Sequence, residues 1–402
     1  MTNWKNEWHT DIKNKVILFL ISPFLAFVYS LKRINTKSSY WVFFLFALFF
    51  GLSFTNDQGP NEQGSLDSAR YIAHFKQYSH QLNDQVLIYK DNDYYFDYTA
   101  YLISKITDNY HILFLVFAAV FAFFQLKSLK YLTQEKEFKN NIYGLILCLL
   151  FTYIGISNIN GVRFWTAAWV TVFCYFKIYR DNDKRFLLLL LVTPYIHLSY
   201  WTVIGMTILT ILTKRFERIW IVMILISFIF SSVAFSFTTQ NANLLPDFLA
   251  NKLLEYTNES VMENEARTGT GFWWIRIASA YLKQAYILTA VCLLIKNRKT
   301  VLSDIRTKGL YLASLVWLSF CNFGMSIPSL GRRYILLSYP MIAYLMLVTF
   351  KGSKYKYFIY AMPFIFIHDL LYNIPSIYKQ VLDFGFFYSS PFYLIYKYIL
   401  IQ

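Results

Sequence analysis

An arginine and a histidine stand where a chain this apolar should carry neither. Arg163 opens one apolar run, just behind Asn160 and Gly161, and His197 sits inside the next, two residues before Ser199. A charged group at mid-bilayer costs roughly 2.5–3.5 kcal/mol on insertion scales, so ionisable residues in such segments point to function by default. A guanidinium presents a fixed fork of donors to phosphate or carboxylate oxygens and stays charged at any working pH. An imidazole supplies a polar contact or a general base near neutrality. Anion binding joined to proton transfer is the chemistry these two residues imply.

Other residues of the same kind follow. Arg332 and Arg333 form a doublet after Gly331, Arg267 leads the segment Arg-Thr-Gly-Thr-Gly, and Arg276 lies near the start of a later apolar run. Asp67, Arg70 and Tyr71 fall in the stretch 65–82, whose spacing predicts an amphipathic helix capped by Ser65 and lying along the membrane surface. Each has a plainer reading. Arg163 would serve as a snorkelling interfacial residue, His197 as a packing residue, and Asp67 with Arg70 as a solvated helix face. The 267–271 segment reads equally as a lid or as an ordinary glycine-rich loop. Asp91-Asn92-Asp93 resembles an acidic metal pair only weakly, and Cys148, Cys174, Cys292 and Cys321 all fall in apolar runs without zinc spacing, so no metal site is expected.

The elements that must position these groups are membrane helices. The chain has 402 residues, 56% hydrophobic, 20% aromatic and 15% charged, with mean hydropathy +0.38. Those values exclude an ordinary soluble domain. Apolar runs of roughly 16–20 residues recur throughout, close to a bilayer crossing, without the alternation of barrel strands. The expected fold is an all-α polytopic integral membrane protein, a single domain over 1–402 with about 10–12 transmembrane or re-entrant helices. The N-terminal stretch, with no small-residue cleavage site, reads as an anchor, and the run containing Pro23 as a tilted span or a re-entrant hairpin.

A net charge of +15 would suit nucleic acid, but the basic residues sit in short loops between apolar runs, which is a topology signal. Assigning the loops at 127–139, 180–185, 213–218, 296–308 and 351–356 to the cytosol leaves two larger extracytoplasmic segments, 55–110 and 238–271. It also requires 186–212 to be two half-depth helices or two tight spans, turning near Pro194–Ser199 outside. The arginines that break the rule are Arg70, Arg163, Arg267, Arg276, Arg332 and Arg333. Converging outside at helix ends, they predict an anionic, membrane-resident ligand such as a lipid diphosphate.

At these residues the chain resembles the EpsG/Wzy-type family of bacterial polysaccharide polymerases. The likeness rests on Asp67-x-x-x-Tyr71, on Asn160-Gly161-Val162-Arg163 with Ala167 and Ala168 a turn later, on Ile196-His197-x-Ser199 after a basic hairpin, and on the late Arg332. Members commonly carry Gln directly after the motif arginine, whereas this chain has Phe164. The resemblance implies a GT-C-like glycosyltransferase of the bacterial cytoplasmic membrane, its site facing the periplasm or exterior. It would polymerise polyprenyl-diphosphate-linked oligosaccharide repeat units for capsule, exopolysaccharide or O-antigen, without metal or cofactor. Arg163, Arg332 and one of Arg267 or Arg276 would hold the diphosphate, with Arg333, Arg70, Tyr71, Asn160 and Ser199 as further contacts and His197 or Asp67 as the base. Membrane lipids, a flippase and chain-length regulators would be its neighbours. The rivals are an O-antigen ligase or another GT-C transferase, and a transporter of lipid-linked glycan.

Overall fold

The computed structural model describes residues 2–55, 67–80, 94–139, 141–230, 236–237, 240–241, 273–326, 330–380 and 382–401. Those residues are helical, with one isolated antiparallel bridge between Phe54 and Leu382. Two stretches, Tyr110–Thr133 and Ile142–Arg180, are long and apolar enough to cross a membrane. Large apolar side chains such as Leu188, Leu212, Leu225 and Phe364 are exposed on the helix exteriors. A surface of that kind needs a non-aqueous neighbour, as a membrane protein has.

The first run resolves into a hairpin of two helices, α1 (Thr2–Ile21) and α2 (Pro23–Ser30). Ser22 caps α2, accepting from the amides of Phe24 and Leu25, while Pro23 at the first helical position loses no useful donor. With 8 residues, α2 rises about 12 Å, under half a bilayer core. The hairpin is pinned at both ends. Ser22 Oγ donates to the Phe387 carbonyl at 2.9 Å, and buried Lys15 donates to Asp11, Thr36 and Ser38 at 2.7, 3.1 and 2.9 Å.

Next, α3 (Lys37–Leu52) lies against α6 (Tyr110–Thr133). The two approach closely because Gly51 carries no Cβ; one built there would stand 2.5 Å from the Ala118 methyl and 2.6 Å from the Phe114 carbonyl. Before α6 come α4 (Asp67–His80) and α5 (Tyr94–Ser104), packed on each other. After it come α7 (Ile142–Phe151) and α8 (Val162–Tyr175), the latter running into a π turn over Phe176–Arg180.

The long run 186–212 breaks into α9 (Phe186–Leu190), α10 (Thr193–Ile196) and α11 (Trp201–Leu212). At 12 residues, α11 rises about 18 Å, short of a full bilayer core. Then follow α12 (Glu217–Ile229), α13 (Trp273–Lys296), α14 (Arg298–Ser303), α15 (Ile305–Phe323), α16 (Leu330–Thr349) and α17 (Lys356–Gln380). Helix α16 is buried almost all round from Tyr334 onward and packs on α7, α8, α13 and α15, as an axis through the bundle. The last run corrects an expectation. Phe386–Leu400 is not one span but a 3-10 turn, the 5-residue α18 (Pro391–Ile395) and a 5-residue π turn.

The bundle has two ends. One gathers Lys15 and the loops at 31–37, 127–139, 176–185 and 296–308. The other gathers the end of α3, the start of α16, the turn at His197, α4, α5 and residues 382–398.

Candidate active site

A 3-10 turn over Ile156–Gly161 delivers the chain into α8. Asn158 folds back on the Gly155 carbonyl at 3.2 Å, and Asn160 Oδ1 accepts from the Ser68 amide at 3.3 Å, docking the first turn of α4 here. Gly161 has a φ of −100°, so the residue is not there to reach left-handed backbone. Its role is close approach: an added Cβ would press within 3.1 Å of the Trp165 ring.

Half-buried Arg163 then points at α4. Its Nε donates to the Tyr71 hydroxyl at 3.1 Å, and its guanidinium stands 5.4 Å from the Tyr71 ring centroid. Tyr71 is buried and leans on Phe96 of α5 at 4.6 Å. Arg70 is exposed and ion-paired with Asp67 one turn earlier on the same helix. The carboxylate expected near the arginines is therefore already engaged.

His74 was not among the residues read as chemical from the sequence, yet it belongs to this cluster. It lies one turn beyond Arg70 and Tyr71, half-buried, with its ring 6.3 Å from that of Phe96. Burial and then the charges of Arg163 and Arg70 lower its pKa below the usual histidine value, so the ring is neutral near pH 7. The signal was its helical spacing: Asp67, Arg70, Tyr71 and His74 recur at i, i+3, i+4 and i+7.

Phe164, standing where family members commonly have Gln, turns the other way and acts as a hub. Its ring meets those of Trp165, His197, Tyr200 and Tyr334 edge-on at 4.8–5.3 Å. Arg333 lies over the same ring at 5.8 Å. The arginine doublet reaches this place because Gly331 lets the start of α16 touch the end of α15, where a Cβ would stand 2.5 Å from the Cys321 carbonyl. Arg332 and Arg333 are both exposed. Arg163 and Arg333, from opposite halves of the chain, thus each lie against an aromatic ring, Tyr71 and Phe164 respectively.

His197 is the extended residue (φ −154°, ψ 120°) that separates α10 from the next 3-10 turn. Its Nδ1 accepts from the Ser199 amide at 3.3 Å and lies 2.7 Å from Ser199 Oγ. An amide can only donate, so Nδ1 carries the lone pair and the neutral ring holds its proton on Nε2. Tyr334 locks the arrangement by donating to the Ser199 carbonyl and Oγ, both at 2.8 Å. So built, the Nδ1 lone pair of His197 is occupied.

Arg276 falls in α13, of whose first turn only the backbone is described, and Arg267 lies outside the described residues, as do Asp91, Asp93 and Ser65. Among the described residues no group of three or more His, Cys, Asp or Glu is placed to hold a metal ion. The site so far is two guanidiniums, an imidazole donor, a second, neutral imidazole and an aromatic wall. A family model described as EpsG family matches residues 40–387. No curated protein and no solved structure matches.

Proposed function

The chain belongs to the EpsG family, the family of Wzy-type polysaccharide polymerases, and from that premise we propose a specific reaction and site for it. The substrate is an oligosaccharide repeat unit on a polyprenyl diphosphate, polymerised at the outer face of the bacterial cytoplasmic membrane. The fold is a polytopic, GT-C-like bundle, with the end holding Arg163 facing outward.

In the reaction an acceptor hydroxyl oxygen attacks the donor's anomeric carbon. The bond from that carbon to the diphosphate oxygen breaks, and its electron pair leaves on the diphosphate. Arg163 and Arg333, joined by Arg332, neutralise the charge that develops there, a task for guanidinium forks that calls for no metal. His197 donates Nε2–H to a substrate oxygen. The hydroxyl proton passes to His74, whose neighbours keep the imidazole unprotonated, while Asp67 holds Arg70 in place.

The observation that carries this reading is that Arg333, from the start of α16, stands over the ring of Phe164, the residue that directly follows Arg163 at the start of α8. Purified protein supplied with a lipid-linked repeat unit should yield a ladder of products, and Arg163→Ala should abolish it. A single transfer onto a different acceptor would make the protein a ligase. Translocation of the lipid-linked unit across vesicles without any new glycosidic bond would make it a transporter.

A further inference from the structure

We propose that a hollow at the same end of the bundle, formed by residues 383–398, is a binding subsite for a neutral saccharide, the acceptor glycan of the reaction above. The identification of the saccharide as acceptor rests on the polymerase reading; the hollow and its chemistry do not.

The hollow is built by a chain that doubles back. Leu382 bridges to Phe54, Asp383 caps the 3-10 turn at Phe384–Phe387, and Ser390 caps α18 by accepting from the Tyr393 amide at 3.2 Å. Lys397 closes the loop on Asp383 at 2.5 Å, and Asn109 anchors it to the start of α6 by donating to the Tyr398 carbonyl at 2.7 Å. The hollow is half open and holds about 330 Å³, within the roughly 300–1,000 Å³ usual for small-molecule sites.

Three features select the ligand class. First, the walls present Tyr388 and Tyr393, 67% and 50% exposed, whose flat rings match the C–H face of a pyranose and whose hydroxyls can bond its rim. Second, the ionic pair cancels: Asp383 and Lys397 leave no net charge, so the hollow lacks the field that a phosphate or carboxylate would need. Third, Asp383 still has accepting capacity. Oδ1 takes the Gly385 amide at 3.0 Å and Oδ2 takes Lys397, which leaves a lone pair on each for sugar hydroxyls.

Placement fits an acceptor. Phe386, Leu394 and Tyr398, which form the floor, belong to the same apolar cluster as Tyr71, Phe96, Ile159 and Val162, the residues behind Arg163. Hollow and Arg163 are therefore mounted on one core at one end of the molecule. A growing glycan held by its sugars there would keep its terminal hydroxyl near the diphosphate site.

The test measures binding of the delipidated repeat-unit oligosaccharide to detergent-solubilised full-length protein, by saturation-transfer NMR and by titration. Tyr393→Ala, at an exposed position, should weaken binding about tenfold or more. The charge-neutral double variant Asp383→Asn/Lys397→Met should do the same, with circular dichroism checking that both fold. In the polymerisation assay Tyr393→Ala should raise the half-saturating acceptor concentration without changing that of the donor. Oligosaccharide affinity unchanged in both variants overturns the proposal, and then the tyrosines are interfacial residues facing lipid. A ladder formed by wild type with Tyr393-independent binding sinks the hollow and spares the polymerase. Tyr393-dependent binding without any ladder sinks the polymerase and spares the hollow.

Discussion

The two ends of this bundle treat arginine in opposite ways. At the basic-loop end, Arg180 pairs with Glu135 and Asp181, both at 2.5 Å, and Arg306 pairs with Glu135, Glu137 and Asp304 at 2.6–2.9 Å. Tyr344 of α16 adds its hydroxyl to Glu135 at 2.5 Å, and Tyr131 of α6 adds its own to Asp181 at 2.6 Å. These arginines were expected to be plain cytosolic anchors; instead they fasten the 134–138 loop to the end of α8 and the start of α15. At the other end Arg163 rests on a tyrosine hydroxyl and ring, and Arg333 on a phenylalanine ring. A guanidinium whose fork is filled by carboxylates is structural. An aromatic face, by contrast, holds a guanidinium without neutralising it.

That contrast can be broken by substitution. The largest effect on activity should come from Arg163→Ala, about 10²–10³-fold lower product formation, the scale of losing one transition-state donor. The melting temperature in detergent should stay close to that of wild type. A variant that also melts early would put Arg163 on the structural side of the comparison.

His74→Gln should cost about 10²-fold at neutral pH, as removal of a general base does. The wild-type rate should fall only as pH drops through a pKa below the ordinary histidine value, because the base works unprotonated and its neighbours lower that value. The variant should lose this acid limb, and a limb that persists would assign it to another group.

At the opposite end, Glu135→Ala removes the carboxylate that Arg180 and Arg306 share, while Asp181, Glu137 and Asp304 remain, and should cost about 1.5–3 kcal/mol of stability, the scale of a hydrogen bond to a charged group. Specific activity per folded molecule should be retained. Acid should act on this end as well. Arg306 holds the Asp304 carboxyl below its usual range; Glu137 is raised by burial but lowered further by the Arg306 hydrogen bonds. Their stabilisation is present above the unfolded-state carboxylate pKa and disappears as pH falls through the depressed folded-state values.

The smallest effect belongs to Tyr71→Phe, which removes one hydrogen bond to Arg163 and keeps the ring. A loss of about 1 kcal/mol, or roughly fivefold in rate, is expected. An equal loss on Tyr71→Ala would mean that the ring contributes nothing to holding the guanidinium.

Much of this was legible in the residues themselves. Burying a charge or an imidazole in an apolar run is a local cost, so Arg163 and His197 stood out without any knowledge of their neighbours. The positions of Lys and Arg in short loops placed the turn near His197. The role of His197 was not legible, because it depends on the Ser199 amide two residues on and on Tyr334, 135 residues beyond Ser199. His74 escaped notice because a histidine on an amphipathic surface helix is ordinary until Arg163 is packed beside it.

Composition and periodicity alone decided that the chain is helical and membrane-compatible, since each helix satisfies its backbone internally whatever lies next to it. Which helices touch was decided by tertiary structure. Apolar helices offer one another little chemical preference, so the pairing turns on a few close approaches: Gly51 on Ala118, Gly309 on the Tyr179 carbonyl, Gly331 on the Cys321 carbonyl. Those contacts set Arg333 over Phe164 and Arg306 against Glu135, pairs separated by more than 160 residues. They make one end a clamp of ion pairs and set the guanidiniums of the other against aromatic rings.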